Sequence, residues 1–187
     1  HAEHKVKIVF SFGASTRASV CAEAMVALRG VTEEFPEEVI QQADEIANAP
    51  IPKEAYETRL DLRSTPIFTI DSAHSKDLDD AVSLEKTENG YRLGVHIADV
   101  SHYVQPKTPL DEEALRRGTS IYYADHVIPM LPKSLSNGVC SLNPCEDRLA
   151  FSALMELDEN GEIVSYQFRK TIIRSAVKGV YSEVNEI

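Results

Sequence analysis

The sequence predicts an α/β (α+β) chain: a mixed, largely antiparallel sheet with flanking helices. Three observations carry that. The first third holds two apolar stripes at helical spacing, each ended by Gly or Pro. Most of the remainder alternates apolar and polar residues in runs joined by short turn signals, the pattern of hairpins. At 187 residues and 43% hydrophobic content, the chain has enough material for one sizeable core.

Taken in order, Lys5 to Phe12 alternates and predicts a strand, the last of a preceding unit. Ala14 to Leu28 is Ala-rich, with Ala18, Cys21, Met25 and Leu28 at helical spacing and Gly30 as the stop. Pro36 suits a helix start, and Glu37 and Glu38 suit its positive end. Val39, Ala43, Ile46 and Ala47 then line one face to about Asn48, before Pro50 and Pro52 end the helix. Ile67 to Ile70 reads as a short buried strand. Ala81 to Glu85 and Tyr91 to Asp99 form a hairpin around Glu88-Asn89-Gly90. On its second strand His96 shares a face with Gly94 and Ala98, the setting of a core or hydrogen-bonded histidine. Asp111 to Arg117 is a short helix, acidic first and basic last. Gly118 to Ile128 is extended, and Lys133 to Leu135 is one helical turn. Leu149 to Leu157 and Glu162 to Ile173 are partner strands across Asp158–Gly161. Ala176 to Ile187 is expected to close nothing.

Composition narrows the class. No apolar run approaches the roughly 18 residues of a membrane span. The start lacks the apolar core of a signal peptide, and His1 in place of Met predicts an excised fragment. Cys21, Cys140 and Cys145 are odd in number and form no C-x2-C pair, which predicts reduced thiols in a cytoplasmic protein. The net charge of −11 argues alone against a nucleic-acid binder. However, residues 31–61 carry −7 of it, and Asp71, Asp77, Asp79 and Asp80 add four negatives that bound cations would neutralise. A local basic groove therefore remains compatible with the total.

The cluster is Asp71, Asp77, Asp79 and Asp80, spaced D-x5-D-x-D-D between two apolar strands. Four carboxylates within ten positions repel one another unless their pKa values rise or a cation sits among them. Oxygen ligands without Cys or paired His favour Mg²⁺ or Mn²⁺ over zinc. The bland alternative is a solvated acidic loop. Against it stand the apolar strand running directly into Asp71, the broken spacing, and Lys76 among the acids. An EF-hand fails: counted from Asp77, the fifth and sixth positions are Ala81 and Val82. An aspartyl-nucleophile phosphatase needs an apolar strand ahead of D-x-D, and His74-Ser75-Lys76 stands there instead. A two-metal phosphodiester hydrolase, whose ions sit roughly 4 Å apart and share carboxylates, fits better.

Longer segments agree. Thr69-Ile70-Asp71 with Lys76-Asp77-Leu78-Asp79-Asp80-Ala81-Val82, Val95-His96-Ile97-Ala98-Asp99-Val100-Ser101-His102-Tyr103-Val104, Arg117-Gly118-Thr119-Ser120 with Tyr122, Ile128-Pro129-Met130-Leu131-Pro132, Leu135 to Pro144 and Asp147-Arg148-Leu149 follow one another in order. From Phe35 onward the chain resembles the RNB catalytic domain of the ribonuclease II/ribonuclease R family, the ribonuclease R branch above all. The resemblance implies residues 31–187 as the N-terminal portion of that domain and 1–30 as the end of a cold-shock, OB-like module or linker. It also implies Mg²⁺-dependent hydrolytic 3′→5′ exoribonuclease activity, processive on single-stranded RNA and releasing nucleoside 5′-monophosphates. It makes Asp71, Asp77, Asp79 and Asp80 metal ligands, with loss of Asp79 stopping cleavage but not RNA binding. Tyr122, or Tyr123 one residue on, stacks on the terminal nucleotides, and His102 and Tyr103 join the RNA-binding set. The later arginine and glutamate of the family's active site are absent here, so weak or no activity of this stretch by itself is expected. The alternatives are a catalytically silent RNA- or protein-binding module of the same fold and a small-substrate metal phosphatase.

Overall fold

The computed structural model describes residues 7–30, 32–123 and 126–186, and for Tyr123 only the backbone. Its frame is one seven-stranded sheet. The strands are β1 (Leu60–Asp61), β2 (Phe68–Asp71), β3 (Asp80–Thr87), β4 (Gly90–Ala98), β7 (Asp147–Leu157), β8 (Ile163–Arg174) and β9 (Val177–Val180), in the order β1-β8-β7-β4-β3-β2-β9. The pairs from β8 through to β2 are antiparallel, and only the two outer pairs, β1 with β8 and β2 with β9, are parallel. A separate hairpin joins β5 (Ile121–Tyr123) to β6 (His126–Ile128).

The strand order forces the sheet to curl. Crossing five strand spacings of a flat sheet, from β8 to β9, would take about 24 Å. Arg174 and Val177 are three peptide steps apart, a reach of at most about 11 Å. The two sides of the sheet must therefore swing together at this end, in the sense that strand twist allows. Two backbone bonds hold the seam: Ala176 N–H donates to the Ile67 carbonyl and Cys145 N–H to that of Ser175, each at 2.7 Å. Ile67, Leu78, Ala81, Ala98, Leu142, Ala150 and Ile173 fill the enclosed face.

The helices are α1 (Ala18–Leu28), α2 (Glu37–Asn48), α3 (Lys53–Thr58), α4 (Val100–Tyr103), α5 (Pro109–Arg117) and α6 (Tyr181–Val184), with a π-helical turn at Leu135–Val139. The α2 stripe buries Val39 and Ala43 against Leu110, Leu131 and Leu135, making a second core beside the sheet. Helix α5 has both expected ends. Thr108 Oγ1 accepts from Asp111 N–H at 3.3 Å, and Gly118 closes the helix at φ +73°, where a side chain would be strained. Ala55 of α3 covers Leu149 and Ile172 on the outer face of the sheet. Beyond that cover the outer face is open: Leu84, Ile97, Phe151, Tyr166 and Phe168 are exposed, and Phe151 stacks on Phe168 at 6.0 Å.

Two expectations are corrected. Residues 7–12 form no strand, and the stretch is exposed without a ladder partner among the described residues; Lys5 and Val6 lie outside them. Alternation alone makes no strand when nothing pairs with it. In addition, the end of the chain does close something. Val177–Val180 runs parallel to β2, setting Asp71 opposite Val180.

Candidate metal and RNA site

Strand β2 ends on Asp71, and β3 opens on Asp80. Between them the turn is pinned from beneath by Leu78, which is buried in the core between Asp77 and Asp79. Burying the leucine turns the flanking aspartates away from the core, which explains D-L-D better than charge alone. Ser141 fixes the same point. Its hydroxyl accepts from Leu78 N–H at 3.0 Å and donates to the Lys76 carbonyl at 2.8 Å, while Leu142 N–H donates to the Leu78 carbonyl at 2.8 Å. The Asp79 carbonyl is held by Ala98 N–H at 2.9 Å, and Asp80 registers against Ile97.

Asp79 feels the other three carboxyls. The pKa of Asp79 is raised, first by partial loss of water around its carboxyl and then by the charges of Asp77, Asp80 and Asp71. Oδ2 of Asp71 is buried and has no hydrogen-bond partner, and the same holds for Oγ1 of Thr69, two residues earlier on the same face of β2. A buried carboxylate oxygen left without a partner is costly, and a cation would satisfy it. Among the described residues no three acidic, His or Cys side chains yet converge closely enough to form a finished metal cage.

Tyr122 reaches this group from the β5–β6 hairpin. Its hydroxyl donates to Asp77 Oδ2 at 2.9 Å, and that bond is the first cause of the raised tyrosine pKa. The ring remains largely exposed. Arg117 pins the base of the hairpin: it is buried, pairs with Glu113 at 2.7 Å, donates to the carbonyls of Pro129 and Glu34, and lies 3.7 Å over the Phe35 ring. Between hairpin and turn runs a cleft of about 950 Å³, walled by Asp77, Tyr122, His74, Lys76 and Lys133. The acidic turn thus sits beside cationic and aromatic groups despite the net negative charge.

His102 and Tyr103 stand elsewhere. His102 is half-buried on α4, its pKa lowered first by burial and then by the Arg59 charge. Tyr103 packs in the cores beneath α2 and α3, and burial raises its hydroxyl pKa to about 12. Neither lines the cleft. Sequence reasoning missed Ser141 and Lys178 as supports of the turn. Ser141 had one available signal, its position inside a matching segment.

The family model described as the RNB domain matches residues 59–187. Ribonuclease R of Thermotoga maritima is 53% identical over 154 residues, covering 82% of this chain and 22% of that protein. Ribonuclease R 1 of Lactococcus lactis is 48% identical over 164 residues, covering 87% of this chain and 20% of that protein. The solved Mycoplasma genitalium RNase R in complex with double-stranded RNA superposes with a TM-score of 0.84 at 33% identity, over 90% of this chain and 30% of its own. The chain therefore spans about a fifth of the length of these curated relatives.

Proposed function

The chain belongs to the RNB-domain family, and on that premise we propose that it carries the acidic half of the active site of a hydrolytic 3′→5′ exoribonuclease. The substrate in this reading is single-stranded RNA, the products are nucleoside 5′-monophosphates, and the cofactor is Mg²⁺, with Mn²⁺ as a substitute. The observation that carries it is the acidic turn itself. Asp79 is pushed up first by partial loss of water and then by three neighbouring carboxylates, and Asp71 keeps a buried oxygen with no partner. Both features fit an oxygen-ligated divalent ion, so Asp71, Asp77, Asp79 and Asp80 are the residues that would hold it. When bound, such ions supply the positive charge that a phosphodiester needs as negative charge builds on its oxygens.

Other residues of the chain would serve the substrate around that site. Tyr122 offers an exposed aromatic face beside the turn, and stacking on it tolerates any base. Lys76 and Lys133 attract the phosphate backbone into the cleft. Leu78 and Ser141 keep Asp77 and Asp79 at fixed places while the strand moves past.

The test uses the longer parent protein and a 5′-fluorescent oligo(A) with Mg²⁺. The wild type should shorten it from the 3′ end. Asp79→Asn should slow this by at least about 100-fold, an active-site loss of a few kcal/mol, while leaving RNA binding within a few-fold. An oligomer untouched by the wild type, or cut equally by the variant, would end the proposal; the first outcome would favour a silent RNA-binding module.

A further inference from the structure

Lys178 takes part in none of the chemistry described above, and its place on the short strand β9 accounts for an otherwise unsupported part of the acidic turn. Its ammonium donates to the Ser75 carbonyl at 2.6 Å and to the Ala73 carbonyl at 3.1 Å. Those carbonyls lie midway between Asp71 and Asp77. From the other side, Ser141 holds the turn only at Lys76 and Leu78. Within the turn, Ser75 N–H to the Ser72 carbonyl at 3.2 Å and the Ser72–Ser75 hydroxyl contact at 2.9 Å are local and weak. Lys178 stands opposite Thr69 in the parallel β2–β9 ladder, on the face of β2 that also presents Asp71. Gly179 makes this approach possible, since a Cβ there would lie 2.7 Å from the Thr69 carbonyl.

We infer that Lys178 is a positioning residue for the metal site: it fixes the span between Asp71 and Asp77, so that ligands from the two sides of the turn can close on one divalent ion. The inference rests on the proposed metal-dependent reading. Its basis is geometric. A charged donor bridging two carbonyls sets loop shape, and outer supports of a metal site commonly cost tenfold or more in affinity when lost.

The probe is Mn²⁺ alone, titrated into the 187-residue chain and followed by electron paramagnetic resonance, with thermal melting recorded in parallel. Lys178→Met should weaken Mn²⁺ binding by about tenfold. Lys178→Arg, which keeps a cationic donor of similar reach, should restore binding to within about threefold. Restoration by arginine separates positioning from general damage, because arginine changes the packing as much as methionine does. If Lys178→Met melts too low to titrate, Lys178→Arg against Lys178→Gln supplies the same contrast. Equal Mn²⁺ affinity in wild type and Lys178→Met overturns the inference while leaving the metal site standing. No Mn²⁺ uptake by the wild type overturns the metal reading, and the inference with it.

Discussion

His96 shows how one buried side chain couples four strands. It is fully buried, with Ser83 Oγ 3.1 Å from Nε2 and Ser152 Oγ 2.8 Å from Nδ1. Ser152 lies 2.7 Å from Thr171 Oγ1, which donates to the Ala150 carbonyl at 3.3 Å. One direction of donation satisfies every member: Ser83 to Nε2, Nδ1–H to Ser152, Ser152 to Thr171, Thr171 to the carbonyl. That assignment makes the ring a neutral Nδ1–H tautomer. Gly94 is required beside it, because a Cβ there would stand 2.3 Å from Ser83 Oγ and 2.7 Å from Nε2. Burial lowers the imidazole pKa from 6.5 to about 4. The unfolded chain takes up this proton near pH 6.5, and the folded chain resists until about pH 4. The stabilisation is therefore complete above pH 6.5 and lost as pH falls through that window, with an upper bound of about 3 kcal/mol. Thermal melts between pH 7 and pH 4.5 should show a clear fall, and His96→Gln should have a lower melting point at pH 7 but a shallower pH slope. Parallel slopes would remove His96 as the cause. The histidine's core role could be read from its strand face, whereas the hydroxyl chain could not, because its members come from strands that meet only in the fold.

At the scale of elements, Asp99 is the joint between helices and sheet. It precedes α4, and its carboxylate is almost wholly buried between Arg59 at the end of α3 (2.7 Å) and Lys170 of β8 (2.6 Å), with Ser101 donating at 2.9 Å. Burial raises its pKa, but hydrogen bonds from Lys170, Arg59 and Ser101 outweigh it and the net shift is downward. A buried carboxylate paired on both sides is costly to break from either partner. Arg59→Met should destabilise the fold by about 3–5 kcal/mol, read from urea unfolding. A loss below about 1 kcal/mol would show that Lys170 and water carry the charge unaided. Elements with local signals were legible in the sequence. The expected helix end at Asn48 is observed, as is the expected hairpin, whose β4 runs Gly90–Ala98. The four-residue β9 was not, because Val-Lys-Gly-Val has no alternation to read and its pairing with β2 links residues more than 100 positions apart. The acidic turn could be read as a cluster because its members are neighbours in sequence. Its support from Lys178 could not, because that residue arrives from β9, more than 100 positions away.

The whole molecule presents one sheet face that the described residues cover only where α3 packs on Leu149 and Ile172. The exposed side chains of Leu84 on β3, Ile97 on β4, Phe151 on β7, and Tyr166 and Phe168 on β8 lie together in the ladder registers. From Ile163 to Lys170 strand β8 is also exposed residue by residue, since β1 pairs only with Thr171 and Ile172. An open apolar face beside an unpaired edge promotes association. The isolated chain should sediment as concentration-dependent oligomers. Replacing both Tyr166 and Phe168 by Thr should shift it toward monomer with a melting point within about 3 °C of wild type, since neither side chain fills the core. Unchanged sedimentation would assign the association to another surface.

The parallel pairing of β2 with β9 also has a meaning in time. Emerging from a ribosome, residue 71 must wait for more than a hundred further residues before its neighbouring strand exists. Until then the acidic turn lacks both its edge partner and its lysine tether, however completely the central hairpins have formed. In a nascent chain built this way the span between Asp71 and Asp77 would gain its fixed shape only after Val180 had been made.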